Sequence, residues 1–258
     1  MVKIVTVVGA TGAQGKGVVR AFLNNPAYHV RAITRNPSGA AGQALASQGA
    51  EVVSADLNDL ARLQTAFAGS HIIFGVTNFF EPFGAHQSAT KAMERYIWST
   101  LPNASRVSAG KYLVPHIESK NRRLQFGSYS ADTPLENIGD VSLNLAPFVR
   151  AIVEDEHCGK TANGAIVLAS SERLSAEELL QLWARVKGVK PKFVRVSNED
   201  FNAIWHLWAE QIGLMMGFWD ELRDIAWTEP NGQKVLTKED LGVQGLQTLE
   251  EAYKTFEL

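Results

Sequence analysis

The sequence predicts an α/β fold in which a doubly wound parallel sheet is followed by a smaller α+β lobe at the C-terminus. Apolar, β-branched segments alternate with amphipathic segments four times in the first 76 residues, which is typical of right-handed βαβ units. Glycines follow the first apolar segment directly. The pattern then becomes less regular, and five of the six tryptophans lie between residues 183 and 227, where we expect them to pack in the core of the smaller lobe. The alternatives for these tryptophans are a flat aromatic pocket and a dimer face.

The first strand is predicted at 3–8, a run apolar enough to be covered on both faces of a parallel sheet. The first helix is predicted at 14–24, where Val18, Val19 and Phe22 share one face. The same alternation predicts the remaining elements of the sheet domain: strands at 28–34, 51–55, 71–76 and 96–100, and helices at about 39–48, 58–68 and 86–94. Asn58 is the predicted cap of the helix at 58–68.

The pattern in the second part of the chain predicts a lobe that contains both helices and strands. Residues 125–140 show no regular pattern, and Ser175 with Glu178 forms a capping box that opens a helix. The predicted elements are helices at 116–124, 141–153, 176–187, 199–216 and 249–256, the last capped by Thr248, and strands at 165–169 and 192–196. We therefore divide the chain into a sheet domain at 1–125 and a smaller C-terminal lobe at 126–258, which is interleaved with the sheet.

The composition excludes several classes of function. The net charge is −2, without the basic excess that nucleic-acid binding requires. No apolar run reaches the roughly 18 residues of a membrane span. Cys158 is the only cysteine, so neither an intramolecular disulfide nor a multi-cysteine metal site is expected, and the scattered histidines predict no metal. We expect a cytoplasmic protein that contacts neither membrane nor nucleic acid directly.

The glycines predict a dinucleotide site of the Rossmann type. Gly9, Gly12 and Gly15 follow the first strand at intervals of three, where a sharp turn, a close phosphate and a tightly packed helix each exclude a side chain. Free N–H groups at the helix N-terminus attract the phosphates, so the predicted contacts include the intervening residues Thr11, Ala13 and Gln14. The alternative is a tight βα turn without a ligand.

The residue after the second strand indicates which dinucleotide is bound. Arg35 stands where an NAD site usually offers a carboxylate to the ribose 2′-hydroxyl, and its guanidinium suits a 2′-phosphate instead. Such charge-assisted bonds contribute about 1.5–3 kcal/mol, so the sequence predicts NADP(H). The alternative is a solvated surface arginine.

Two further strand ends supply candidate cofactor contacts. Asp56 with Leu57, and Thr77 with Asn78, follow the third and fourth strands and are expected to border the adenine and ribose. Asp56 has an alternative role as a helix cap.

The runs VTVVGATGAQGKGVVRAFL, AITRNPSG, IIFGVTNFFEP and YIWSTLPNASRVSAGKYLVPHIESK resemble the NmrA-like family, atypical members of the short-chain dehydrogenase/reductase superfamily. The resemblance implies an NADP(H)-binding Rossmann domain and a C-terminal lobe that forms a cleft over the nicotinamide. The chain departs from the family in shortened regions after Glu81 and Lys120, so we expect a sheet abbreviated after its fifth strand.

The resemblance also bears on catalysis. No tyrosine has a lysine four residues later, which excludes the usual Tyr/Lys mechanism of the superfamily. Lys120 matches the active-site lysine of isoflavone-reductase-like relatives, so it is both a catalytic and a cofactor-binding candidate, with Tyr112 and Ser99 as further catalytic donors. The alternative for Lys120 is a surface lysine.

Three functions remain open at this point. The first is an NADPH-dependent reductase of a small, aromatic or polyketide-like carbonyl or enone. The second is a non-catalytic NADP(H) redox sensor with a regulatory protein partner, and the third is a non-redox enzyme, a dehydratase or cyclase, on the same fold. A homodimer is compatible with each.

Overall fold

A computed structural model describes residues 2–76, 95–98, 127–155, 159–161, 164–197, 199–200, 203, 212–229 and 231–256. The predicted helices at 86–94 and 116–124 and the predicted domain boundary at 125 lie outside these residues. The chain divides into two compact units. The first comprises Met1–Thr100 and Val141–Gly159, and the second comprises Leu101–Asp140 and Lys160–Leu258.

The first unit is built on a five-stranded parallel sheet. Its strands are β1 (Lys3–Val7), β2 (Tyr28–Thr34), β3 (Glu51–Ser54), β4 (Ile72–Gly75) and β5 (Arg95–Trp98). They are arranged in the order β3-β2-β1-β4-β5, and every neighbouring pair runs parallel. The predicted α/β class with a parallel central sheet is thereby confirmed.

The helices of this unit are α1 (Ala13–Leu23), α2 (Ala40–Ser47), α3 (Leu60–Phe67) and α4 (Val141–Glu154). The face of α1 that carries Val18, Val19 and Phe22 is buried, as its periodicity predicts. Helix α1 packs tightly on α4. A Cβ added at Gly17 would lie only 2.5 Å from the Ser142 carbonyl oxygen, so the contact requires a glycine in α1.

The start of α3 corrects one prediction. The cap is Asp59, whose carboxylate accepts a hydrogen bond from the Arg62 N–H at 3.1 Å, and not Asn58. The Asn58 N–H and side-chain amide instead donate to Asp56 Oδ1, at 2.8 and 3.0 Å. Asp56 thus closes the turn before the helix, and this turn moves the cap forward by one residue.

The second unit contains three short strand pairs. Strands β6 (Gly127–Ser128) and β10 (Val194–Arg195) are parallel, as are β8 (Ile166–Val167) and β11 (Val235–Leu236). Strand β7 (Pro134–Asn137) pairs antiparallel with β9 (Glu172–Ser175). The expectation of irregular structure over 125–140 is therefore wrong at β6 and β7, because each short segment pairs with a strand that is distant in the sequence.

The helices of the second unit are α5 (Ala176–Lys187), α6 (Leu214–Leu222), α7 (Lys238–Leu241) and α8 (Leu249–Thr255), with a 3₁₀ helix at Arg223–Trp227. The Ser175–Glu178 capping box opens α5 as predicted, and Gly188 ends it at φ +66°. Thr248 caps α8, also as predicted. Among the described residues, no helix is both long enough and apolar enough to cross a membrane.

The tryptophans that the structure describes in this unit pack in its core. Trp183 and Trp219 lie against a buried cluster that includes Leu135, Leu179 and Tyr253. The ring of Trp219 also stacks on Trp227, with centroids 5.6 Å apart. These three partly buried rings therefore pack against the core, although the indole N–H groups of Trp219 and Trp227 have no hydrogen-bond partner among the described residues. Trp205 and Trp208 lie outside the described residues.

Tyr253 makes the stability of the second unit sensitive to alkaline pH. Burial, with a smaller contribution from the Glu172 carboxylate, raises the pKa of its phenol to about 12. The tyrosine ionises near pH 10 in the unfolded chain, so the folded state is favoured by keeping this phenol protonated. That contribution to the free energy of unfolding is fully present below pH 10 and is lost as the pH rises through about 12. We expect the free energy of unfolding to fall by about 1 kcal/mol between pH 9 and 11 through this residue, and the Tyr253→Phe variant to lack that decrease in urea denaturation. Equal pH dependence in both proteins would contradict the assignment.

Candidate dinucleotide site

A sharp turn joins β1 to α1. Gly9 has φ +65°, a conformation that residues with a Cβ rarely adopt, and a Cβ there would lie 2.9 Å from Val76 Cγ1. The Val8 N–H donates to the Phe74 carbonyl at 3.0 Å, and the Gly12 N–H donates to the Gly9 carbonyl at 2.9 Å. The chain therefore reverses directly at the carboxyl end of the sheet.

Helix α1 begins in contact with this turn. A Cβ built on Gly15 would lie 2.1 Å from the Gly9 carbonyl oxygen and 2.8 Å from Ala10 Cα. Both neighbours are backbone atoms, so no side-chain movement relieves the overlap. Only glycine at position 15 allows the helix to start this close to the strand.

The N-terminus of α1 is a candidate anion site. Its N-cap residue, Gly12, is exposed, and among the described residues no side chain caps the helix and no acidic residue lies in its first turn. The N–H groups of Ala13, Gln14 and Gly15 have no acceptor within the helix, because the first N–H groups of a helix lack an i−4 carbonyl. They form a concentrated set of donors at the positive end of the helix dipole.

Gln14 adds an unsatisfied acceptor to the same turn. Its Oε1 atom is buried and has no hydrogen-bond partner in the described part of the chain. Ribose hydroxyl groups can donate to such an atom, whereas phosphate oxygens accept from the neighbouring N–H groups. The local donors and acceptors thus fit a dinucleotide, which carries both kinds of group.

The loop after β2 lies beside the glycine turn. Strands β1 and β2 pair in parallel with Val7 opposite Ala32, and the Ala10 N–H donates to the Ile33 carbonyl at 3.4 Å. Arg35 follows β2 directly and is exposed. The sheet therefore brings Arg35 to the same edge as the N-terminus of α1.

Hydrogen bonds fix the shape of the loop that carries Arg35. The Asn36 N–H donates to Thr34 Oγ1 at 3.3 Å, and the Ser38 hydroxyl donates to Asn36 Oδ1 at 3.1 Å. Gly39 is the N-cap residue of helix α2, which again has no side-chain cap and no acidic residue in its first turn. The sequence analysis did not include this second helix end among the candidate site residues. A glycine N-cap followed by uncharged residues is, however, a pattern that indicates an uncapped helix N-terminus.

The other predicted site residues divide into two groups. One carboxylate oxygen of Asp56 accepts hydrogen bonds from Asn58 in the turn before α3. Leu57 packs against the buried cluster that contains Ile33 and Ala55, so both residues have a structural role. The remaining candidates lie outside the described residues: Thr77, Asn78, Ser99, Tyr112 and Lys120. Among the described residues, no group of histidine, cysteine and carboxylate side chains could hold a metal ion.

Comparison with known proteins bears on the same region. Residues 1–122 match the NmrA-like family. The predicted resemblance is therefore confirmed over the glycine turn, the β2 loop and the sheet. An NmrA-like family domain-containing oxidoreductase, hkm9 of Aspergillus hancockii, is 36% identical over 134 residues, which is 46% of this chain and 40% of that protein. The chain thus matches well under half the length of this curated relative.

Solved structures share the fold over nearly the whole chain. NmrA, described as a negative transcriptional regulator and crystallised with NAD, superposes with a TM-score of 0.71 at 20% identity, covering 99% of this chain and 95% of NmrA. The NADPH-dependent quinone oxidoreductase QOR2 of Escherichia coli, crystallised with NADPH, gives a TM-score of 0.67 at 17% identity, covering 96% and 98% of the two chains. At these identities, the likeness establishes the fold.

Proposed function

We propose that the first unit binds NADP(H), with the diphosphate at the N-terminus of α1 and the adenosine 2′-phosphate at Arg35. One observation carries the proposal: an exposed helix end without a side-chain cap, built on Gly12, lies at the sheet edge where Arg35 follows β2. The buried, unpartnered Oε1 of Gln14 and the absence of acidic residues from the first turns of α1 and α2 support it.

We propose further that the chain is an NADPH-dependent oxidoreductase acting on a small, aromatic or polyketide-like carbonyl or enone. A bound nicotinamide supplies hydride, and the residues of this chain bind and orient the dinucleotide. Lys120 is the proposed group that stabilises or protonates the substrate oxygen. The oxidoreductase name of the Aspergillus hancockii relative and the NADPH dependence of QOR2 support this assignment.

Arg35→Ala is expected to lower the ratio of NADPH to NADH affinity by about 10- to 150-fold, because about 1.5–3 kcal/mol of charge-assisted bonding to the 2′-phosphate is lost. NADH lacks that phosphate, so its dissociation constant should change little. Arg20→Ala provides a matched control, since Arg20 is an exposed arginine in the last turn of α1, at the opposite end from the site. An unchanged ratio in Arg35→Ala, measured by calorimetric titration, would exclude the 2′-phosphate contact.

A redox sensor is the second candidate function, favoured by the structural likeness to the regulator NmrA. A sensor must bind NADP⁺ and NADPH with different affinities, since equal affinities shift no conformational equilibrium. Parallel titration of the two forms tests this requirement directly. Indistinguishable dissociation constants would exclude the sensor.

Single-turnover kinetics test whether the chain catalyses hydride transfer from bound NADPH. Mixing the NADPH-loaded chain with a panel of enones and quinones should give a decay of the 340 nm absorbance that depends on enone or quinone concentration. Lys120→Ala, tested at NADPH concentrations that saturate the variant, should slow this decay. Binding of NADPH with no oxidation by any member of the panel would favour the sensor or a non-redox enzyme.

A further inference from the structure

The second unit contains an open cavity of about 550 Å³, and none of its described lining residues is among those assigned to the dinucleotide. Its described lining is Tyr129, Arg195, Val196, Ser197 and Asp200. Strands β6 and β10 pair in parallel, with Ser128 opposite Arg195, so Tyr129 and Val196 follow the two strands at the same edge. Carboxyl ends of parallel strands are a common location for ligands, because loops diverge there and leave an open crevice.

Arg195 supplies the cavity with a positive charge. The side chain is exposed, and within the described residues it has no ion pair. Two other arginines of the same unit are paired, Arg173 with Glu136 and Arg223 with Asp132. A guanidinium presents a planar fork of donors that matches a carboxylate in a bidentate arrangement, so Arg195 favours an anionic group.

Tyr129 contributes a flat, neutral surface. The residue is half-buried, and burial raises the pKa of its phenol further above its usual alkaline value. The side chain is uncharged at neutral pH with or without this shift. Tyr129 and Val196 are the residues of the described lining that carry apolar side-chain surface. Aromatic ligand rings pack favourably on such a surface in stacked or edge-to-face geometry.

Asp200 forms no ion pair with Arg195 in the part of the chain that the structure describes. Its Oδ2 atom accepts hydrogen bonds from the Ser197 N–H and the Ser197 hydroxyl, each at 2.8 Å, and the Asp200 N–H donates to Ser197 Oγ at 3.1 Å. The Ser197 backbone N–H, followed by the Ser197 hydroxyl, lowers the pKa of this carboxyl. The local turn thus fixes the orientation of the carboxylate, and the Arg195 guanidinium has no carboxylate partner among the described residues.

We propose that this cavity binds a small aromatic carboxylate. The carboxylate pairs with the Arg195 guanidinium, and the ring packs against Tyr129 and Val196. The proposal does not depend on NADP(H) binding or on catalysis, because every group it uses belongs to the second unit and the test contains no coenzyme.

Calorimetric titration of the full chain with 2-naphthoate and with its neutral analogue 2-naphthamide tests this site. We expect naphthoate to bind at least tenfold more tightly than the amide, because only the anion forms charge-assisted bonds to the guanidinium. Arg195→Gln should abolish that preference, whereas Lys192→Gln, which removes an exposed charge outside the described lining, should retain it. Tyr129→Ala should weaken both probes, and Tyr129→Phe should weaken neither by more than a few-fold. Thermal melts of each variant verify folding.

Equal binding of naphthoate and naphthamide, no binding of either, or unchanged naphthoate affinity in Arg195→Gln would overturn the proposal. Tighter binding of the cation 2-naphthylmethylammonium would also overturn it, because Asp200 would then be the dominant charge. A separate NADPH titration distinguishes this failure from failure of the dinucleotide site, since the two experiments share neither ligand nor variant.

Discussion

Replacing Gly12 with alanine is expected to weaken NADPH binding by about 100-fold or more, with little change in the stability of the chain. A methyl group on this exposed N-cap residue would crowd the first-turn N–H groups, which are the proposed donors to the diphosphate, and losing one or two charge-assisted bonds accounts for the effect. Inside the protein, the closest atom to the new Cβ is the Gly9 carbonyl oxygen at 3.3 Å, a tight but tolerable contact. Calorimetric titration measures the affinity, and urea denaturation should show a loss of only about 1 kcal/mol.

The Gly12→Ser variant distinguishes an effect on NADPH binding from an effect on the stability of helix α1. A serine hydroxyl is a good N-cap and would accept a hydrogen bond from the first-turn N–H groups, so the chain should be at least as stable as in Gly12→Ala. That hydroxyl competes with the diphosphate for the same donors, and NADPH affinity should still fall. Wild-type affinity in either variant would show that the diphosphate does not lie at this helix end.

Replacing Gly15 with alanine is expected to lower the free energy of unfolding by about 3 kcal/mol or more. The new Cβ would lie 2.1 Å from the Gly9 carbonyl oxygen, so either the helix or the turn must move. Alanine is favoured over glycine inside a helix by about 1 kcal/mol, and the overlap must exceed this gain. Urea denaturation of the variant measures the net effect.

Lys16→Ala is the matched control for that experiment. Lys16 is the next residue of α1 and is exposed, so its truncation should leave the unfolding free energy within about 0.5 kcal/mol of wild type. A Gly15→Ala protein as stable as the control would contradict the close approach of α1 to the turn.

The sequence predicted those elements whose signals are local. The capping box of Ser175 and Glu178 and the apolar face of α1 depend only on residues within one or two turns of helix. Strand β7 was missed because it contains a proline and polar residues, and its conformation depends on β9, far along the chain. The cap of α3 was misplaced by one residue because Asn58 and Asp59 are both good caps, and the Asp56 turn decides between them.

The candidate sites follow the same division. The glycines and Arg35 were predictable because a strand, a turn and a helix start occur in immediate succession. The unpartnered acceptor of Gln14 depends on burial by surrounding residues, which no spacing reveals. The cavity at Tyr129 and Arg195 results from the pairing of two-residue strands that are distant in sequence, so local patterns could not have indicated it.

Amide chemical shifts of ¹⁵N-labelled protein during NADPH titration test the dinucleotide site most directly. We predict large, saturable downfield shifts of the N–H signals of Ala13, Gln14 and Gly15, and a shift of the Arg35 side-chain Nε–H with NADPH but not with NADH. Saturable binding of NADPH that leaves the three amides unchanged, or no binding at millimolar NADPH, would contradict the account.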